Sequence, residues 1–351
     1  MGRVTVKRLI ATVLCALFLG GCGLPARGEQ YTQTFLDLFD TVTTVTAFCE
    51  SREAFDALCA EVYGVLWDYH RLCDIYHDYD FPNLKTVNDL AGIRAVEVDE
   101  RLLRLLSFAK EAAQQTEGSV NIALGPVLSL WHDCRAAAQE NPLLAQLPSE
   151  EALRAAAENT DIEALELTDR TAFLNRRKMR LDVGAVAKGY AAARAAELLQ
   201  KKGISGALNL GGTVVTVGTK AGGAPWRVGI QNPDLEAEND TLLTLSLSGQ
   251  SLVTSGDYQR YMTVGGKRYA HIIDPETVFP PESVSSVSVL CSDAGWGDVL
   301  STALFVLPLE KGQALVEKTD GVEAMWVKKD GEEIFSSGFE AYRSDRQWKN
   351  E

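Results

Sequence analysis

The run Leu181-Asp182-Val183-Gly184-Ala185-Val186-Ala187-Lys188-Gly189-Tyr190 passes from an apolar stretch, through glycine, into an alanine-rich segment. Glycine lets backbone approach a ligand closely, and a helix start offers free N–H groups to an anion. Asp182 and Lys188 would flank such a ligand with opposite charges. The P-loop order of glycines before Lys-Ser/Thr is absent, so the run also fits a capped strand–helix junction with a solvated lysine. Asn209-Leu210-Gly211-Gly212 sets paired glycines after an apolar strand, as a tight turn or a binding loop would. Thr254-Ser255-Gly256-Asp257-Tyr258-Gln259-Arg260-Tyr261 is denser in polar groups, and the planar fork of an arginine suits a phosphate. His271, in Tyr269-Ala270-His271-Ile272-Ile273-Asp274-Pro275, stands on an expected short strand as a candidate proton carrier. Its ordinary pKa of about 6.5 lies near working pH. Asp257 and Asp274 are the alternative bases. Asp298 and Thr302 are four residues apart and share a face if helical, with Ser301 alongside. Hard oxygens of this kind suit Mg²⁺, which accepts few protein ligands. They also fit an acid at a helix start, worth about 0.3–1 kcal/mol, and a threonine bonded back to a carbonyl. His70, His77 and His132 fall in helical contexts without polar company and read as structural.

The elements that must position these residues follow from periodicity. Thr41–Phe48 alternates and is rich in β-branched residues, which predicts a strand. Residues 51–72 and 99–116 carry apolar side chains at helical spacing. Asn83–Leu90 reads as a loop, and Gly125-Pro126 as a turn into a short helix. Ser149 followed by Glu150 and Glu151 starts a helix. Residues 164–167 and 171–174 form a hairpin, and 188–202 a helix closed by Gly203. Strands are expected at 206–210, 213–217, 226–230, 241–247, 251–255, 268–273 and 284–291. Helices near 297–307 and 309–318 and a hairpin over 321–336 complete the chain. The regular β-α-β beat of a doubly wound sheet is missing, so the fold class is α+β.

The chain has 351 residues, 46% hydrophobic and 23% charged, the balance of a globular protein with a real core. Its formal net charge of −14 argues against nucleic acid as a partner. A phosphate ligand on so acidic a body needs backbone donors, local cations or a metal. Cys49, Cys59, Cys73, Cys134 and Cys291 are odd in number and irregularly spaced, without the CxxC pattern of a zinc site.

Arg3, Lys7 and Arg8 precede an apolar run from Leu9 to Leu19, too short to span a bilayer with ease. It ends in Leu19-Gly20-Gly21-Cys22, which resembles the lipobox of bacterial lipoproteins. This implies a signal peptide over 1–21, lipidation of Cys22, a polar tether over 22–34 and a place on the extracytoplasmic face of the cell membrane.

Taken in order, Asp182–Tyr190, Asn209–Gly212, Trp226–Ile230, Thr254–Tyr261, His271–Pro275 and Asp298–Ala303 resemble the ApbE family of FAD:protein FMN transferases. Phe39-Asp40-Thr41, Tyr76, Val87-Asn88 and Ser119-Val120-Asn121 with Gly125-Pro126 and Trp131 extend the likeness over residues 35–340. The resemblance implies a T-fold-like α+β body with FAD between its parts. Phe39, Tyr76, Ser119, Val120, Asn121, Asp182, Lys188 and Ile272 match FAD-contacting positions, and His271 a histidine close to the diphosphate. Mg²⁺ would sit near the Ala185 carbonyl, with Asp298 and Thr302 as side-chain ligands and Ser301 contributing. The implied reaction moves FMN from FAD to a threonine or serine of an exported or membrane client and releases AMP. FAD hydrolysis and flavin carriage are the rival activities. Phe39-Asp40-Thr41 departs from the usual Met-Gly-Thr, and Val278 replaces a glycine after Asp-Pro-x-Thr.

Overall fold

The structure is a computed structural model that describes residues 27–344. Eight strands form one antiparallel sheet whose order in space is their order in sequence. They are β1 (Glu29–Leu38), β2 (Thr41–Cys49), β3 (Gly206–Leu210), β4 (Thr213–Val217), β5 (Ser251–Gly256), β6 (Val284–Cys291), β7 (Glu323–Lys328) and β8 (Glu333–Phe335). The helices are α1 (Arg52–Cys73), α2 (Leu84–Asp89), α3 (Glu100–Gln115), α4 (Gly125–Glu140), α5 (Glu150–Ala157), α6 (Ala187–Lys201), α7 (Ala294–Val306) and α8 (Leu309–Lys318). Among the described residues no helix is long and apolar enough to cross a membrane.

Strand alternation sorts the core onto two faces. Val45 and Ala47 of β2, Leu208 and Leu210 of β3, and Val215 and Val217 of β4 join the core that contains α1, α3 and α6. Further along the sheet, Val287 and Val289 of β6 and Ala324 and Trp326 of β7 pack against α7 and α8. The intervening side chains Leu290, Met325 and Val327 point the other way, where the hairpin Trp226–Gln231/Thr241–Leu247 covers them. Helices on one face and a hairpin on the other make this an α+β body.

Several boundaries differ from the sequence reading, each for a local reason. The segment read as a tether becomes strand from Glu29, because β1 pairs with β2 from Glu29↔Cys49 onward. Asn83–Leu90 is no loop: Asn83 and Thr86 form a reciprocal capping box that starts α2. Gly125-Pro126 opens a full α4 of 16 residues, since proline in a first turn loses no hydrogen bond. The hairpin Tyr261–Val264/Lys267–Ala270 ends before His271, so that residue lies in a bend and not on a strand. Asp293 caps α7 by accepting from the Trp296 N–H at 2.9 Å, so the helix begins three residues earlier than expected.

Where α6 crosses α7, Gly189 lies against the other helix. A Cβ there would stand 2.2 Å from the Ala294 carbonyl oxygen and 2.6 Å from Asp298 Cβ. Gly189→Ala should therefore force the helices apart, at about 1–3 kcal/mol. Urea denaturation of the variant checks this; an unchanged midpoint would show that the crossing yields freely.

Candidate active site

Asp298 is central. It is buried on the fifth residue of α7 and aims at the first turn of α6. That turn has no side-chain cap of its own. The Gly189 N–H, which a helix begun earlier would direct at the Ala185 carbonyl, donates to Asp298 Oδ2 at 2.8 Å. Lys188 Nζ lies 3.4 Å from Asp298 Oδ1. The alternative of an acid simply capping a helix start is thus set aside, because α7 begins earlier and α6 roofs the carboxylate. Ser301 is fully buried, donates to the Asp298 carbonyl at 3.1 Å, and meets Ser255 Oγ at 2.9 Å. Its hydroxyl braces the helix, whereas Thr302, one residue on, is half-buried.

Asp182 is held at the mouth of the same junction. Its N–H donates to the Ile122 carbonyl at 2.8 Å and its Oδ1 accepts from the Gly184 N–H at 2.9 Å. Asn88 clamps the preceding residue, its amide bonding both the N–H and the carbonyl of Leu181 at 2.7 and 3.0 Å. Asn121 spends its side chain on the Ala123 N–H and the Thr160 carbonyl, so it shapes the turn beside Asp182. Val120 is buried and Ser119 half-buried. Ile272 sends its side chain into the core beneath α7.

His271 meets this junction from the opposite connection. Its Nδ1 lies 3.1 Å from the Arg260 carbonyl, which only accepts; Nδ1 therefore carries the proton and Nε2 keeps a free lone pair. Burial, then Arg135, Arg260 and Lys188, push its pKa down to about 3. The sequence reading gave it an ordinary value, and burial, with three cations from three separate segments, overturns that. Arg260 Nη2 in turn donates to the Asp40 carbonyl at 3.2 Å. Asp40 and Phe39 turn the β1–β2 hairpin with φ of 52° and 53°. This left-handed pair is fixed by His70, whose Nδ1 accepts from the Phe39 N–H at 3.1 Å while its ring meets the Phe39 edge.

The two alternative bases are engaged elsewhere. Asp257 is buried against Lys329 and, at 3.6 Å, Arg268. Asp274 binds the Glu276 N–H at 2.9 Å and the Thr277 hydroxyl at 3.0 Å, closing its own turn. Tyr76 is exposed, with the His132 ring 5.4 Å away and the Arg180 guanidinium 5.8 Å from its centroid. Partial burial, then nearby Asp182, raises its phenol pKa. His132 and Arg135 both come from α4; the sequence reading took His132 as structural and passed over Arg135. On an amphipathic helix they look like a solvated face.

This architecture is that of solved flavin transferase structures. The crystal structure of an ApbE protein from Thermotoga maritima superposes with a TM-score of 0.80 at 26% identity, over 90% of this chain and 100% of that one. The apo Pseudomonas stutzeri flavinyl transferase ApbE gives 0.74 at 26% identity, over 90% and 96%. A FAD:protein FMN transferase of Treponema pallidum is 32% identical over 94% of this chain and 92% of its own. One from Klebsiella pneumoniae is 32% identical over 80% and 85%. The ApbE family model matches residues 39–326, and the chain belongs to that family.

The donor set fits the metal this family implies. Among the described residues no group of three or more His, Cys, Asp or Glu side chains could hold an ion. The buried Asp298 carboxylate, the Thr302 hydroxyl one helical turn on and the Ala185 carbonyl are hard oxygens of the kind that suits Mg²⁺ better than softer metals. Asp298→Ala would strand the Gly189 N–H and Lys188. We expect a loss of about 1–3 kcal/mol in stability. Thermal or urea unfolding without added metal measures it, and a wild-type curve would show the carboxylate to be idle in the fold.

Proposed function

We propose that the chain moves FMN from FAD to a threonine or serine hydroxyl of a client protein, releasing AMP, with Mg²⁺ bound at Asp298. One observation carries the reading: Lys188 joins a proton acceptor to the carboxylate that would hold the metal, lying 3.4 Å from Asp298 and close enough to help depress His271. Family membership and the named relatives support the flavin and the protein acceptor.

In the reaction, the client oxygen forms a bond to the FMN-side phosphorus. The bond from that phosphorus to the bridging oxygen breaks, and AMP leaves with the electron pair. Arg260 and Lys188 hold the diphosphate. His271 Nε2 takes the proton of the client hydroxyl. A bound Mg²⁺ supplies charge neutralisation at the phosphate oxygens, and Asp298, Thr302 and the Ala185 carbonyl would hold it. Because its surroundings keep His271 neutral far below pH 6.5, Nε2 is open across the working range. The diphosphate, arriving among the cations, offsets their charge and strengthens the base.

Incubation with FAD, Mg²⁺ and an exported flavoprotein client, followed by intact mass and free FMN, tests the proposal. The client should gain one FMN, and His271→Asn should slow that gain roughly 10²- to 10⁴-fold while still binding FAD. The acid limb of kcat/KM should lie well below pH 6.5, since protonation of His271 is resisted down to about 3. Free FMN accumulating while the client gains nothing would make the enzyme a hydrolase.

The same reading puts the enzyme on the outer face of the cell membrane through a lipid on Cys22, which lies outside the described residues. Its support is the basic-then-apolar opening that ends in Leu-Gly-Gly-Cys. Cys22→Ala should accumulate precursor that takes up no labelled fatty acid. Unlabelled wild-type protein, soluble in the medium, would end the idea.

A further inference from the structure

Arg135 reaches the site from α4, of which the sequence reading used only Gly125-Pro126 and Trp131. Its guanidinium donates toward His132 Nδ1 at 3.3 Å, and the His132 ring lies beside Tyr76. Neither Arg135 nor Arg260 forms a salt bridge among the described residues; Asp182 lies near enough to Arg135 to favour its charge, and the Arg260 guanidinium donates to the Asp40 carbonyl at 3.2 Å. Most arginines elsewhere have acidic partners, as Arg71 has Asp68, Arg101 has Asp99 and Arg176 has Asp161. Helix α4 packs against the hairpin that Arg260 and His271 flank, Trp131 and Val127 meeting Met262, with the Trp131 and Tyr269 rings 6.1 Å apart. This brings the two arginines near each other; burial, then Arg260, lowers the pKa of Arg135. Lys188 adds a third positive charge around His271.

Holding like charges together, partly out of water, costs stability unless an anion joins them. Arginine's planar fork matches phosphate oxygens two at a time. The neighbouring Tyr76–His132 pair offers a ring face, so one ligand with a polyanionic middle and an aromatic end satisfies both features.

Resting on the flavin transferase reading, we propose that Arg135 is a positioning residue that grips the diphosphate of FAD together with Arg260 and Lys188, with His132 setting the direction of its guanidinium. It complements the charge of the group that reacts and leaves the proton to His271. By this account, α4 distinguishes a dinucleotide from an uncharged flavin.

Equilibrium binding of FAD, ADP and riboflavin to purified protein tests the proposal, with thermal unfolding as the fold control. Arg135→Gln should weaken FAD and ADP roughly 10- to 100-fold and leave riboflavin as in the wild type. Its melting temperature should stay level or rise, because a repulsion has been removed. Arg135→Lys keeps the charge without the fork and should restore part of the lost affinity. In transfer assays the Gln variant should raise KM for FAD more than it lowers kcat. Wild-type affinity for FAD and ADP in Arg135→Gln would overturn the proposal. So would equal weakening of all three ligands, or failure of Arg135→Lys to recover any affinity, either of which marks a merely structural arginine. Wild-type protein that binds FAD and ADP but transfers no FMN would instead count against the flavin transferase reading, with the Arg135 comparison still readable.

Discussion

The hydrogen bond from the Gly189 N–H to Asp298 is the contact on which the site depends. Helix α6 starts without a side-chain cap, and α7 supplies one from more than a hundred residues away. An acid is the right residue for that duty, because the positive end of a helix welcomes a carboxylate. Burial makes the contact demanding as well as favourable. A charge there must be matched, and Lys188 from the same helix start matches it. The glycine follows from the same geometry, since any larger residue would hold the two helices apart. Capping, charge compensation and close packing thus meet at one crossing and fix the spacing between the metal-type oxygens and the lysine.

Electrostatics resolves the apparent conflict between an acidic protein and an anionic ligand. The chain as a whole carries a formal net charge of −14. At the site, Arg135, Arg260 and Lys188 come from three different segments and lie close enough to His271 to depress its pKa. After burial, these cations are the next causes of the lowered pKa, so the local charge at the site opposes the global sign. The histidine that results is held neutral by its neighbours and in one tautomer by a single carbonyl.

Legibility in the sequence followed the range of the determining contacts. The alternation of Thr41–Phe48 and the periodicity of residues 51–72 are local, and β2 and α1 stand where they indicate. Residues 181–190 and 298–302 also meet, as their ordered motifs imply. What failed depended on partners far along the chain or on very short signals. The six residues of α2 offer too little periodicity to register, and only the Asn83–Thr86 box marks them. Strand β1 is a half-exposed edge that gains its identity from pairing with β2. The burial of Asp298 depends on α6, and the depressed pKa of His271 on arginines that each look like solvent-facing charges. Val278, a β-branched residue at a φ of 59°, was visible as a departure but not its anchor, the Trp131 indole that donates to its carbonyl at 3.0 Å.

The order of the sheet carries a kinetic consequence. The pairs β1–β2, β3–β4 and β7–β8 are joined by short links, but β2 and β3 pair Thr43 with Leu210 across the longest connection in the sheet, which holds six helices. Closing so long a loop is entropically expensive until its contents have collapsed. The hairpins β1–β2 and β3–β4 can form early on either side of that gap. Asp182 and Lys188 lie inside the gap, whereas Arg260, His271 and Asp298 lie beyond it. The binding surface is therefore a late product of folding, assembled when the longest-range strand pair zips shut. A nascent chain therefore carries no partly formed site with it.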